Sequence, residues 1–66
     1  MIRFGILGAG RIGKVHTATI GASKVAKVAY VADAMPKAAS DLAATVGAKT
    51  ASVEEIIASK DVDAIL

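Results

Sequence analysis

The glycine-rich stretch at residues 8–13 constrains the fold more than any other part of the sequence. It follows an apolar run at 2–7, precedes a segment with helical spacing, and reads Gly8-Ala9-Gly10-Arg11-Ile12-Gly13. A strand, a tight glycine turn and a helix start bring unpaired backbone N–H groups and the positive end of the helix dipole to one point. The stretch therefore predicts a place where a phosphate group lies against bare backbone.

The rest of the pattern predicts alternating strands and helices. Strands are predicted where apolar residues are nearly continuous, as in parallel strands covered on both faces: at 2–7, at 25–32 and in the start of a third strand at 64–66. Helices are predicted at 11–20, 36–46 and 53–59. This order indicates an α/β chain with a Rossmann-type parallel sheet, first half only (β-α-β-α-α-β), and right-handed crossovers.

Helical spacing also predicts which residues face the core. In the first helix Ile12, Val15, Thr19 and Ala22 fall at helical spacing, and His16 and Ile20 continue the row of Ile12 at one-turn intervals. The expected core positions are Ala39, Leu42, Ala43 and Val46 in the second helix and Val53, Ile56 and Ile57 in the third. Gly47 is expected as a left-handed cap, and Ser52 with Glu55 as a capping box. Because both longer crossovers run in one direction, they are expected on one face, leaving the other face and one edge bare.

Asp33 supplies the second half of the predicted site. It ends the second strand and lies 20 residues beyond Gly13, the spacing expected for the residue that binds the adenosine ribose. A carboxylate accepts hydrogen bonds from both ribose hydroxyls and repels a 2′-phosphate, so NAD is favoured over NADP, although Lys37 keeps use of both open. The alternative for Asp33 is a plain turn residue or helix cap.

The predicted cofactor-binding residues are Gly8, Ala9, Gly10, Arg11, Ile12, Gly13 and Asp33. In this assignment Gly8 permits the tight turn, Gly10 lets the diphosphate approach the backbone, and Gly13 lets the helix pack closely on the strand. The N–H groups around Arg11 and Ile12 would point at the diphosphate. The alternative is a glycine-rich turn that binds no ligand.

A phosphate loop of nucleotide triphosphatases overlaps the same glycines. The stretch matches the pattern GxxxxGK, but Val15 stands where that loop needs a serine or threonine hydroxyl for magnesium. His16 is a candidate catalytic base, and a packed or half-exposed helix histidine is the alternative. Asp61 and Asp63 could form a metal pair, but turn and cap chemistry explains them better.

Composition excludes several classes of function. The chain has 66 residues, one histidine and no cysteine, so no metal site is predicted. Residues 1–32 carry five basic and no acidic side chains, which suits an anionic ligand, whereas 33–66 carry three basic and six acidic ones. The basic residues are scattered and aromatics are few, so nucleic-acid binding has little support. No apolar run is long enough for a membrane helix, and a soluble cytoplasmic protein is expected.

The sequence resembles the N-terminus of the glucose–fructose oxidoreductase / inositol dehydrogenase family. The resemblance rests on residues 2–16, on Val31-Ala32-Asp33, on 52–57 and on 61–65. It implies NAD(P)-dependent oxidation of a secondary alcohol on a cyclic polyol or sugar. It also implies an N-terminal Rossmann domain followed by a larger α/β domain through which members form homo-oligomers.

Only the glycine fingerprint and Asp33 carry over from the family to this chain. The family's catalytic lysine, in a Glu-Lys-Pro motif, and its aspartate and histidine have no counterpart here, so catalytic and substrate residues stay unassigned. Another Rossmann oxidoreductase and a non-catalytic dinucleotide-binding module are the alternatives. Residues 1–66 are expected to be the N-terminal part of an NAD-binding domain, cut within its third strand and unstable or aggregating alone.

Overall fold

The computed structural model describes all 66 residues of the chain as one parallel sheet with three helices. The elements are β1 (Ile2–Leu7), α1 (Arg11–Gly21), β2 (Ala26–Ala32), α2 (Pro36–Val46), β3 (Lys49–Thr50), α3 (Val53–Ala58) and β4 (Ala64–Ile65). The strands lie in the order β3-β2-β1-β4, and every neighbouring pair is parallel. The predicted α/β class and Rossmann-type parallel sheet are confirmed.

The number and order of the strands correct the prediction. A strand at Lys49–Thr50 was missed, so the segment expected as strand three is the fourth strand. It pairs with β1 through Phe4 and Ala64, so β1 already has both of its neighbours within this chain. The missed strand has only two residues, both exposed and polar or charged at the sheet edge, and therefore carries no apolar signal.

The helices cover both faces of the sheet, which also differs from the prediction. The chain moves from β1 to β2 to β3 in one direction and then returns across the sheet to β4. Right-handed crossovers therefore place α1 and α2 on one face and α3 on the other. On the α3 face Ile56, only 1% exposed, packs directly over Gly5 of β1. The face expected to be bare is thus covered at its centre.

The main core lies between the sheet and the α1–α2 pair. It consists of Ile6, Ala9, Ile20, Val28, Val31, Ala39, Leu42 and Ala43. In α2 the predicted core positions are confirmed, with Val46 partly buried against the same cluster. The helix ends at Val46 and is capped by Gly47, whose φ is +69°, and the capping box of Ser52 and Glu55 is formed.

The buried face of α1 matches the residues at predicted helical spacing only at Ile20. Ile12 is 66% exposed and Val15 56% exposed. The positions that face the sheet are Gly13, Thr17 and Ile20. The close approach of Gly13 to the carbonyl of Gly8 sets the rotation of the helix, and the residues four and seven positions later follow it inward. In α3, similarly, Ile56 is buried while Val53 and Ile57 are exposed. None of the three helices combines the length and apolar character needed to cross a bilayer.

Thr17 carries a polar atom that the fold leaves without a partner. Its side chain lies on the buried side of α1, which faces the sheet, and its hydroxyl forms no hydrogen bond. Because valine has the same shape without the unsatisfied hydroxyl, we expect Thr17→Val to raise the free energy of unfolding by about 1 kcal/mol. Urea titration of the protein measures this. The matched control is Thr19→Val, an exposed position with an expected change within about 0.5 kcal/mol. A loss of stability in Thr17→Val would contradict the assignment.

Arg3 and Asp63 join β1 to the start of β4. The Arg3 backbone N–H donates to Asp63 Oδ2 at 2.8 Å, and its guanidinium donates Nε to Oδ2 at 3.0 Å and Nη2 to Oδ1 at 3.1 Å. Both carboxylate oxygens of Asp63 therefore accept hydrogen bonds from Arg3. Asp61 lies beside Tyr30, whose hydroxyl donates to Asp61 Oδ2 at 3.4 Å. These are contacts to the distant strands β1 and β2, which the expected turn and cap chemistry of the two aspartates does not include.

The Arg3–Asp63 contact predicts a dependence of stability on pH. Hydrogen bonds from Arg3 lower the pKa of Asp63 from its ordinary 3.8 to about 2. A carboxyl whose pKa is lower in the folded state stabilises the fold above its ordinary pKa, and this contribution disappears as the pH falls through the folded value. We expect the midpoint of urea-induced unfolding to decrease as the pH is lowered from 4 to 2. Asp63→Asn should make this decrease smaller. An unchanged acid profile in Asp63→Asn would contradict this.

Candidate functional site

The predicted site residues meet at the carboxyl edge of the two central strands. The glycine turn follows β1 and Asp33 follows β2, and these strands are parallel neighbours with Leu7 opposite Ala32. The backbone N–H of Gly8 donates to the carbonyl of Ala32 at 2.7 Å. The two halves of the predicted site, 24 residues apart in Ala9 and Asp33, are therefore side by side.

Two glycines determine the shape of the turn. Gly8 has a φ of +107°, a conformation that side chains of L residues rarely adopt. At Gly13 a Cβ atom would overlap the carbonyl oxygen of Gly8. Helix α1 can therefore approach the end of β1 this closely only with glycine at that position. Gly10 differs from both, because a Cβ there would meet no protein atom within 4 Å and would project into open space.

The start of α1 presents free backbone donors to that open space. The first helical hydrogen bond runs from the N–H of Lys14 to the carbonyl of Gly10, at 2.9 Å. The preceding N–H groups of Arg11, Ile12 and Gly13 thus have no carbonyl partner inside the helix. No side chain caps this end and no acidic residue lies in the first turn. No residue of α1 itself compensates the helix dipole, which favours an anion at this position.

Asp33 is held in place by two backbone donors. The N–H of Ala9 donates to Asp33 Oδ2 at 2.6 Å, and the N–H of Met35 donates to Oδ1 at 2.8 Å. The bond from Ala9, and after it the bond from Met35, lowers the pKa of the carboxyl below 3.8. The Met35 contact is the local turn bond that the alternative interpretation of Asp33 expects. Each oxygen keeps a further lone pair for a hydroxyl donor.

Two cavities flank the turn. One of about 370 Å³ opens on the β4 side and is lined by Ile6, Leu7, Gly8, Gly10, Arg11, Ile12, Gly13, His16 and Leu66. Another of about 380 Å³ lies beside Asp33 and is lined by Asp33, Pro36, Ala39, Thr50, Ala51, Ser52 and Glu55. His16, a candidate base from the sequence, is an exposed helix residue that lines the first cavity, whereas neither Leu66 nor Thr50 was predicted at the site. Only the position of β3 and β4 in the sheet brings the last two there.

A larger cavity lies elsewhere and has different chemistry. It measures about 580 Å³, sits at the amino end of the strands, and is lined mainly by small apolar residues of α1, α2 and β2. It contains neither the glycine turn nor Asp33. In open α/β sheets ligands bind outside the carboxyl ends of the strands, so the edge with the glycine turn is the candidate site.

The positions of Val15 and Lys37 bear on two alternatives, a triphosphate loop and the use of NADP. Val15 is exposed on α1 and offers no hydroxyl, while the nearest threonine, Thr17, is buried against the sheet. A triphosphate loop with magnesium therefore has no support in this geometry. Lys37 forms an ion pair with Asp41 at 3.1 Å, which turns its charge toward its own helix.

Comparison with known proteins agrees with this geometry. Residues 2–66 match the model of an oxidoreductase family with an NAD-binding Rossmann fold. Over 65 residues the chain is 43% identical to inositol 2-dehydrogenase of Rhizobium meliloti (strain 1021). The aligned region covers 98% of this chain and 20% of that protein. The chain therefore spans about a fifth of the length of this relative.

Solved structures give the same result. A proposed myo-inositol dehydrogenase from Sinorhizobium meliloti 1021 superposes with a TM-score of 0.96 at 43% identity, over 98% of this chain and 20% of that one. A myo-inositol dehydrogenase from Corynebacterium glutamicum ATCC 13032 superposes with a TM-score of 0.90 at 36% identity, over 98% of this chain and 20% of that one. The sheet, the glycine turn and the match across residues 2–66 lead to one conclusion: this chain belongs to the glucose–fructose oxidoreductase / inositol dehydrogenase (Gfo/Idh/MocA) family and has its NAD-binding Rossmann fold.

Proposed function

We propose that residues 1–66 form the N-terminal part of the NAD-binding domain of a longer NAD-dependent dehydrogenase. Its substrate would be a secondary alcohol on a cyclic polyol or sugar, as in a myo-inositol 2-dehydrogenase. The single observation that carries the proposal is the junction of the glycine turn with Asp33, joined by the 2.6 Å bond from Ala9. With this junction, the proposed diphosphate site and the proposed ribose acceptor would lie at adjacent strand ends.

The chain's own residues would bind and orient the cofactor. The N–H groups of Arg11 and Ile12 would bind the diphosphate, Gly10 would leave room for it, and Asp33 would accept hydrogen bonds from the adenosine ribose. The cavity beside Asp33 and the cavity beside Leu66 would take the two ends of the dinucleotide. The chemistry that NAD supplies when bound is the acceptance of a hydride at C4 of its nicotinamide ring.

A cofactor titration tests the role of Asp33 in this site. We expect Asp33→Ser in the complete protein to weaken NAD binding by about tenfold to a hundredfold, since it removes hydrogen bonds to a charged acceptor. The preference for NAD over NADP should fall as well, because the 2′-phosphate is no longer repelled. Glu54→Ser, which removes an exposed carboxylate of α3, is the matched control. Unchanged NAD affinity in Asp33→Ser would remove this residue from the site.

Turnover on a panel of cyclic polyols and sugars tests the proposed activity. We expect NAD reduction with at least one of them. We also expect the complete protein to be a homo-oligomer and to lie in the cytoplasm, where NAD is available. Activity on an unrelated substrate class would favour another Rossmann oxidoreductase. Retained NAD binding with no turnover on any substrate would favour a non-catalytic dinucleotide-binding module.

A further inference from the structure

The bond between Ala9 and Asp33 has a consequence for the diphosphate turn itself. Ala9 is only 3% exposed, and its N–H donates to Asp33 Oδ2 at 2.6 Å. A buried backbone N–H without a partner is costly, so this carboxylate satisfies a donor that water cannot easily reach. Asp33 thus already has a function before any ribose binds.

The position of Ala9 makes that bond a constraint on the whole turn. Ala9 stands between Gly8, with its φ of +107°, and Gly10, the residue that precedes the first turn of α1. Glycines lose more conformational freedom on ordering than any other residue, so a turn flanked by two of them needs fixed points. The structure provides two, the Gly8 N–H on the Ala32 carbonyl and the Ala9 N–H on Asp33. Both fixed points belong to the end of β2.

The carboxylate is itself held so that it can act in this way. The N–H of Met35 donates to its other oxygen at 2.8 Å, which fixes the rotation of the side chain. The carboxyl is ionised at neutral pH, since both backbone bonds lower its pKa. The turn is therefore tied to an acceptor whose orientation and charge are both fixed by the backbone.

From this geometry we infer that Asp33 is also a positioning residue for the diphosphate-binding turn, acting through the Ala9 N–H, and that this role is separate from its contact with ribose. The inference rests on the proposed function and extends it to a ligand that has no ribose. Inorganic pyrophosphate is such a ligand. It reaches the free N–H groups at the start of α1 but offers nothing for Asp33 to recognise.

Pyrophosphate distinguishes positioning from simple electrostatics because only positioning predicts a difference between two substitutions that both remove the charge of Asp33. Removing a carboxylate beside an anion site lowers the repulsion, so charge alone predicts tighter pyrophosphate binding in both Asp33→Asn and Asp33→Ala. Positioning predicts that Asp33→Ala is the weaker binder of the two, because asparagine keeps one acceptor oxygen for Ala9 and alanine keeps none. We expect the Kd of Asp33→Ala to exceed that of Asp33→Asn by about tenfold.

The experiment is a pyrophosphate titration of the complete protein and of these two variants by calorimetry, with Glu54→Gln as the charge-matched control. Pyrophosphate affinities that are equal in the two Asp33 variants, or higher in Asp33→Ala, would overturn the inference. If wild-type protein binds neither NAD nor pyrophosphate, the proposed function itself fails. If wild-type protein binds NAD and the two variants do not differ, only the inference on Asp33 fails.

A second measurement does not depend on whether the variants fold. In the unliganded wild-type protein the Ala9 amide should exchange its hydrogen slowly, whereas the Arg11 and Ile12 amides, which have no carbonyl partner in the helix, should exchange fast. Hydrogen exchange followed by NMR on ¹⁵N-labelled protein resolves these amides. An Ala9 amide that exchanges as fast as those of Arg11 and Ile12 would show that Asp33 does not hold the turn.

Discussion

Gly13→Ala is expected to abolish NAD binding and to destabilise the fold at the same time. The new Cβ would overlap the carbonyl oxygen of Gly8 and lie 3.0 Å from its carbonyl carbon. Both are backbone atoms of a turn that is tied to β2, so neither can move aside cheaply. Overpacking of this kind costs about 1–3 kcal/mol, and an opened turn no longer directs its N–H groups at one point.

Gly10→Ala is the matched variant that separates binding from folding. Its Cβ would meet no protein atom within 4 Å, and its φ of −74° suits alanine. We therefore expect an unchanged melting temperature but a loss of NAD affinity of about a hundredfold, since the methyl group occupies the space proposed for the diphosphate. Calorimetric NAD titrations and thermal melts of both variants measure these effects. Wild-type NAD affinity in Gly10→Ala would show that the diphosphate does not lie against this residue.

The contact of Gly5 with Ile56 predicts the largest effect on stability away from the site. A Cβ at Gly5 would overlap Ile56 Cγ2 and lie 3.5 Å from Val62 Cγ1. Ile56 is also the only buried residue of α3. We expect Gly5→Ala to cost about 1–3 kcal/mol by overpacking and Ile56→Ala to cost about 2–5 kcal/mol by leaving a cavity.

Combining the two substitutions tests whether they act on one contact. In the double variant the added methyl group enters the space that Ile56 leaves, so we expect the combined loss to be smaller than the sum by at least about 0.5 kcal/mol. Ile57→Ala, on the exposed side of the same helix, should change stability by less than about 0.5 kcal/mol. Urea unfolding of the wild type, the two single variants and the double variant supplies the cycle. Strict additivity would mean that α3 does not pack over Gly5.

Local sequence patterns predicted the parts of the fold that depend on neighbouring residues. The capping box at Ser52, the left-handed cap at Gly47 and the buried stripe of α2 depend on spacings within one helix, and the structure confirms them. The glycine turn and Asp33 could be paired from sequence because parallel strands end at the same edge of a sheet. Their roles in binding NAD are what the titrations of Asp33→Ser and Gly10→Ala test.

Features that arise from packing between distant segments were not readable in this way. The rotation of α1 follows from one backbone contact between Gly13 and Gly8, which overrides the apolar periodicity of Ile12 and Val15. The strand at Lys49–Thr50 exists because its backbone pairs with β2, not because its side chains are apolar. With that strand missed, the return of the chain to β4 and the placement of α3 on the opposite face could not be predicted.

The most direct test of the central claim is NAD binding by a chimera. Residues 1–66 would replace the matching segment of the Rhizobium meliloti inositol 2-dehydrogenase, to which the chain is 43% identical. A folded chimera is expected to bind NAD within about tenfold of the unaltered relative and to lose that binding with Gly10→Ala. A chimera that folds and assembles normally yet does not bind NAD, or that binds it equally well with Gly10→Ala, would contradict the account.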